Sequence, residues 1–216
     1  MKIPTFQTSG LLGGVGVEHG FGTLLSGDAH VPGLVTARQV HGTTLSRVPG
    51  PIAWPEADAL WSDQPGVAVG VVTADCVPLL LVSPGRPAVA AIHAGWRGSA
   101  ARIGEEVVTE FARASRVDPS EMVVAIGPHI GPCCYEVDDP VRRLIPHDSV
   151  FSRARRAGHY MLDLCELNRI QLVRAGVHED RIERVGGCTA CEGSLYHSYR
   201  RGRVGRMVHW VRVPQP

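Results

Sequence analysis

Three apolar runs, GVAVGVVTA (66–74), VPLLLV (77–82) and PAVAAI (87–92), follow one another with almost no polar spacing and leave this chain few folds. Each is short, rich in Val and Ala, and bounded by turn residues, notably Ser83-Pro84-Gly85-Arg86 between the second and third. Strands buried on both faces read this way, and so short a connection favours antiparallel neighbours. A helical period follows, with Ile103, Val107, Val108 and Phe111 on one face behind Ser99, a good N-cap. MVVAIG (122–127) and RMVHWVRV (206–213) predict two further strands. Asp163 with Glu166 three residues on predicts a capped helix that buries Leu164, Leu167, Ile170 and Val173 and stops near Gly176. With no linker, repeat or low-complexity tract, the interleaved elements predict one α/β domain with mixed strand directions.

Composition narrows the function classes. Hydrophobic residues at 44% and charged residues at 20% are ordinary globular values. The net charge of +1 argues against a polyanion-binding protein, although residues 151–216 carry 12 Arg against 6 Asp and Glu. That basic half is a solvated face or a preference for an anionic substrate such as phosphate. Lys2 is the only lysine, and no basic run is interleaved with aromatics, so no nucleic-acid partner is expected. The N-terminal stretch lacks a long apolar region, and no run approaches the roughly 18 apolar residues of a membrane span. A soluble, cytoplasmic protein is expected, as a monomer or weak homodimer, with its six cysteines reduced and open to packing, metal binding or catalysis.

His41 follows TARQV, Cys76 follows VGVVTAD and His93 follows AVAAI, each at the end of an apolar run. If those runs lie together in one sheet, their ends gather two imidazoles and a thiolate, a three-ligand set suited to zinc with a fourth position open. A lone histidine at a strand end is also commonly a rim residue bonded to backbone, so both readings stand on spacing alone. Asp75 beside Cys76 is an orienter, a proton shuttle or a turn residue. Trp96 and Arg97, in Gly95-Trp96-Arg97-Gly98, either stack on a flat base and bind an anion or serve the core and a salt bridge. Cys133 and Cys134 are reactive thiols or small hydrophobes, and Cys165 is a packing residue. Cys188-Thr-Ala-Cys191 has metal or redox spacing, yet without a second such pair no second metal site is expected there.

RQVHG (38–42), ADAL (57–60), TADCVPLLLV (73–82), AIHAGWRG (91–98), IGPHIGPCCYEV (126–137), DLCELNRIQLVRAGV (163–177), CT (188–189) and YHSYRR (196–201) together resemble the laccase-domain or polyphenol oxidase family, the YfiH type. Its members are described as purine nucleoside phosphorylases and as peptidoglycan editing factors. The resemblance implies a single-domain, four-layer α-β-β-α sandwich over residues 1–216 with mixed sheets. It also implies one divalent metal per chain, usually zinc, on His41, Cys76 and His93. The implied activities are phosphorolysis of adenosine, inosine and methylthioadenosine to base and sugar 1-phosphate, and adenosine deamination. The chain departs from the family in a shortened N-terminal region, where HGFGTLLSGD (19–28) has Leu24 or Leu25 in place of an expected arginine.

The chemistry orders these activities. A zinc-activated water explains deamination, with Asp75 shuttling the proton; phosphorolysis needs an anion site, assigned to Arg97, and Gln39 near His41 is a further substrate contact. Copper is less favoured than zinc: ten histidines include no His-x-His pair, and the four Met lie outside the motifs. Two alternatives remain, a Cys76/His93 thiol hydrolase or amidase editing peptidoglycan precursors and a non-catalytic binder of purine-like ligands.

Overall fold

The turn residues that bracket the apolar runs mark their boundaries in space. The computed structural model describes residues 2–48, 55–202 and 205–213, so Met1 and residues 214–216, the ends of the expected domain, lie outside them. In chain order the strands are β1 (Phe6–Gln7), β2 (Glu18–Gly22), β3 (Leu34–Val35), β4 (Leu45–Arg47), β5 (Ala59–Ser62), β6 (Ala68–Thr73) and β7 (Val77–Ser83). They continue as β8 (Ala88–Ala94), β9 (Val123–Ile126), β10 (Glu136–Asp138), β11 (Phe151–Arg153), β12 (His159–Leu162), β13 (Ile182–Arg184) and β14 (Met207–Arg212). The helices are α1 (Gly10–Gly14), α2 (Trp96–Ala100), α3 (Ile103–Ser115), α4 (Asp139–Leu144) and α5 (Leu164–Arg174).

Two mixed sheets carry the fold. One runs β1-β2-β14-β6-β3 and the other β13-β9-β7-β8-β5-β4, while β10-β12-β11 form a small antiparallel sheet. The β7–β8 hairpin is antiparallel as its short turn predicts, with Val82 opposite Val89. The first apolar run behaves differently. β6 belongs to the five-stranded sheet and β7 to the six-stranded one, so the three runs do not share a sheet. The chain changes sheet over Ala74–Cys76, where Asp75 takes a φ of 90°, a backbone that non-glycine residues rarely adopt.

Alternation along the strands divides the core in two. Leu80, Val82, Val89, Ala91 and Ala125 face Phe21, Val69, Val71 and Val211 of the other sheet. Leu79, Leu81, Ala90, Ile92 and Val124 face the helical layer, meeting Val107, Phe111, Leu167 and Leu172. Over the outer face of the five-stranded sheet, the described residues place a small cluster of Val31, Ala68 and Trp210 with Phe6 and Leu34. The helical weight of the sandwich therefore falls on the six-stranded sheet.

Two helix expectations are corrected. Ser99 does not cap the long helix: it lies within α2, and α3 begins after Arg102, whose φ of 62° breaks the helical path. Asp163 does cap α5, accepting from Glu166 N at 2.9 Å. Its buried face is Leu164, Cys165, Leu167, Asn168, Gln171 and Leu172, while the expected Ile170 and Val173 are only partly buried.

Candidate active site

Antiparallel pairing of β7 and β8 sets Val77 opposite Ala94, and so brings Cys76 and His93 side by side at one end of the sheet. His41 arrives on the loop between β3 and β4, held with a φ of 62°. The side-chain ligand atoms of His41, Cys76 and His93 all lie within 4.8 Å of one another. The expected trio is therefore gathered, although at the mouth between two sheets rather than along the ends of one.

Asp58 makes that gathering possible. Its carboxylate is fully buried and accepts from His41 N at 2.9 Å, Gly42 N at 2.7 Å and Val40 N at 3.2 Å. It also accepts from His93 Nδ1 at 2.8 Å, which fixes the tautomer and turns Nε2 toward Cys76 and His41. Burial alone pushes the Asp58 carboxyl up, but the His93 bond and the backbone N–H groups hold it below the usual range. The orienting carboxylate is thus Asp58, and not Asp75.

Electrostatics favour a thiolate. Burial opposes the charge on Cys76, yet bonds and charges from His41 and His93 bring its pKa down to about 7. Burial works against charge on His93 as well, and Asp58 with Cys76 raises it to about 9. Gly95 completes the packing. A Cβ there would stand 2.9 Å from His41 Cδ2 and 3.1 Å from Cys76 Sγ, so only glycine lets the loop pass behind the ligands. Three convergent ligands, a thiolate-stabilising setting and an oriented imidazole fit a borderline-soft divalent ion with an open coordination position.

The other sequence candidates line one cavity of about 940 Å³ together with the trio. Asp75 accepts from Thr189 Oγ1 at 2.6 Å and from Arg200 N at 2.7 Å, which fixes its carboxylate at the wall. Trp96 packs on the helical core while lining the cavity, with the Arg97 guanidinium 4.4 Å from its ring centre. Gln39 is largely committed elsewhere: its amide donates to Val72 O and accepts from Val72 N, both at 2.8 Å. Sequence reasoning missed Asp58, Tyr135, Arg200 and Arg206. A lone acid inside the apolar ADAL was the available signal for Asp58, since a buried carboxylate needs a partner; Tyr135 and Arg200 lie in the motifs IGPHIGPCCYEV and YHSYRR, and nothing local marked Arg206.

Cys165 packs in the core as expected. The four remaining thiols behave otherwise: Cys133 and Cys134 supply the second pair that Cys188 and Cys191 lack in sequence, and all four Sγ atoms lie within 4.8 Å of one another. Among the described residues no helix is long and apolar enough to cross a membrane.

Comparison with known proteins places the chain in a family. Residues 23–214 match the family described as multi-copper polyphenol oxidoreductase laccase. The chain is 40% identical over 194 residues to the purine nucleoside phosphorylase YlmD of Geobacillus stearothermophilus, covering 82% of this chain and 71% of that one. It is 37% identical over 182 residues to the purine nucleoside phosphorylase YfiH of Escherichia coli, covering 82% and 72%. The crystal structure of YlmD from Geobacillus stearothermophilus superposes with a TM-score of 0.85 at 31% identity, covering 98% of this chain and 99% of that chain. The Bacillus licheniformis protein YfiH superposes with a TM-score of 0.83 at 30% identity, covering 91% and 92%.

Proposed function

The chain belongs to the multi-copper polyphenol oxidoreductase laccase family, and on that premise we propose that it is a zinc-dependent enzyme of purine nucleosides. It cleaves adenosine, inosine and methylthioadenosine with phosphate to give the base and a sugar 1-phosphate, and it also deaminates adenosine. One observation carries the reading: His41, Cys76 and His93 converge on a cavity that also holds the aromatic Trp96 and the guanidinium groups of Arg97 and Arg206. The names of the phosphorylase relatives support the substrate class.

Each group has work suited to its chemistry. When bound, the ion supplies a Lewis acid and, for deamination, a water acidified toward neutral pH. His41, Cys76 and His93 hold it, while Asp58 keeps His93 in register. Trp96 offers a face for the purine, and Tyr135, whose hydroxyl is kept neutral by burial and by the Cys76 charge, offers a hydrogen bond. Arg97 and Arg206 make no carboxylate ion pair among the described residues, which leaves their charge for phosphate. In phosphorolysis a phosphate oxygen bonds to C1′ as the bond to the base breaks. In deamination the fixed Asp75 carboxylate moves a proton to the departing amine. A two-histidine, one-cysteine set without a nearby methionine suits zinc better than blue copper.

A thiol hydrolase built on Cys76 and His93 is the second reading, favoured by a thiol pKa of about 7 beside an imidazole raised to about 9. One assay separates the readings. Purified protein is incubated with adenosine, inosine or methylthioadenosine, with and without phosphate. Adenine or hypoxanthine should form only with phosphate, inosine should form from adenosine without it, and Cys76→Ala should lose both activities along with one zinc. Absence of turnover in zinc-loaded protein defeats the proposal and leaves a ligand-binding protein. A metal-free protein with an alkylatable Cys76 selects the hydrolase.

A further inference from the structure

The segments 127–137 and 187–202 contribute only the first two residues of β10 to any sheet, yet they form a wall of the cavity. They are joined by one backbone bridge, between His129 and Cys188 with Thr189 N donating to His129 O at 2.9 Å, and by side-chain bonds such as Arg200 to Glu136 O at 3.0 Å. Around that bridge stand four cysteines. Cys133 and Cys134 sit in a turn closed by Cys134 N donating to Gly131 O at 3.0 Å, and Cys188 and Cys191 in a turn closed by Cys191 N donating to Cys188 O at 3.1 Å. Two separate tight turns therefore present two sulfurs each to a common centre.

From these observations we propose that Cys133, Cys134, Cys188 and Cys191 form a second metal site, a tetrathiolate clip for one zinc ion that is structural and distinct from the His41–Cys76–His93 centre. The spacing suits a single ion. Four sulfurs about 2.3 Å from a zinc ion stand about 3.8 Å apart in a tetrahedron, and here Cys191 Sγ lies 3.5 Å from Cys133 Sγ and 3.4 Å from Cys134 Sγ. Disulfide pairing fits less well, because Cys191 approaches two sulfurs at once and can bond covalently to only one. Cys188 also has a backbone donor on its sulfur. Gly131 N donates to Cys188 Sγ at 3.1 Å, and an ideal Cβ at Gly131 would stand 3.3 Å from Cys188 Cβ, so a bare backbone meets the sulfur. Arg201 donates to Ala190 O at 2.7 Å and Arg200 to Glu136 O at 3.0 Å, which seats a guanidinium on each loop to offset the net negative charge of four thiolates on a divalent ion.

The clip also has a consequence for the cavity. Thr189, between its two C-terminal ligands, donates to Asp75 Oδ1, and Ile130, just before the N-terminal pair, donates its N–H to Asp75 O at 2.9 Å. Both loops thus brace the residue that turns the chain from one sheet to the other. The bound ion holds that brace in place.

Metal counting tests the site on the whole chain, purified under reducing conditions without chelator. Elemental analysis should find two zinc ions per chain in the wild type, one in Cys188→Ser/Cys191→Ser, and one in Cys76→Ser. Cobalt loaded into Cys76→Ser should show the intense visible bands of tetrahedral thiolate coordination. An unchanged zinc count in Cys188→Ser/Cys191→Ser overturns the clip, as does a Cys76→Ser protein that gives no such cobalt spectrum. Should the Cys188→Ser/Cys191→Ser chain fail to fold, native mass spectrometry of wild type and Cys76→Ser decides: no ion on Cys76→Ser, or a mass lowered by disulfide formation, rejects the site. The two centres fail separately, because loss of the three-ligand centre alone leaves one zinc that still depends on Cys188 and Cys191.

Discussion

Asp58 shows how much a single buried carboxylate can organise. One oxygen serves His93 Nδ1 and His41 N, and the other serves Gly42 N and Val40 N. All four partners are donors, and an asparagine side chain at this position would place an NH₂ against some of them. Asp58→Asn should therefore weaken zinc binding at the three-ligand centre about 10–100-fold, the cost typical of losing a ligand's orienting partner. Competition with a chromogenic chelator measures this, and an unaltered affinity would refute the orienting role. His41, Cys76 and His93 were legible because each ends an apolar run and lies in a recognisable motif. Asp58 was hidden because its partner His93 is 35 positions away, and no local pattern reports a bond of that range.

At the scale of elements, α2 carries Trp96 and Arg97 into the cavity, but five residues cannot hold a helix in place by themselves. α5 supplies the support. Gln171 donates to Ser99 O at 2.7 Å and accepts from Gly104 N at 3.1 Å, thereby tying α5 to both α2 and the start of α3. Asn168 adds a bond to Ser99 Oγ at 2.9 Å. Gln171→Ala strands the buried N–H of Gly104, a loss worth about 1–3 kcal/mol, whereas Ser99 O keeps the bond from Arg102 N at 3.0 Å. Urea unfolding should register a loss of about 1–3 kcal/mol, and a loss under about 0.5 kcal/mol would mean that water replaces the side chain without penalty. The helical periods were readable, but the break at Arg102 was not: a left-handed residue is allowed there because α5 satisfies the groups that the break exposes.

For the molecule as a whole, β14 closes the five-stranded sheet between β2 and β6, with His209 fully buried at its centre. Gly22 N donates to Nδ1 at 3.2 Å, which leaves Nε2 to donate to Thr73 Oγ1 at 2.9 Å. Burial, with a smaller contribution from the His93 charge, lowers the His209 pKa from 6.5 to about 3. The unfolded chain takes up a proton below about 6.5, whereas the folded chain refuses it until about 3. Stability tied to His209 is therefore intact above pH 6.5 and declines as pH falls through that window, at up to about 1.4 kcal/mol per pH unit. His209→Gln should show a smaller loss of unfolding free energy between pH 7 and pH 4.5 than the wild type. Parallel pH dependence in the two proteins would place the titration elsewhere.

Local sequence settled β6, β7, β8, β9 and β14, because runs of Val, Ala and Leu bounded by Gly and Pro have few other ways to leave water. It also settled the family, and it named His41, Cys76 and His93 as candidates, through side chains fixed within short motifs. Which sheet each run joined was decided in three dimensions: β6 and β7 are equally apolar, and only the reversal at Asp75 and the partners available to each strand part them. The Asp58 brace and the meeting of Cys133-Cys134 with Cys188 and Cys191 were decided there too. Such contacts join residues tens of positions apart, and their energy exists only once the two sheets have closed around them.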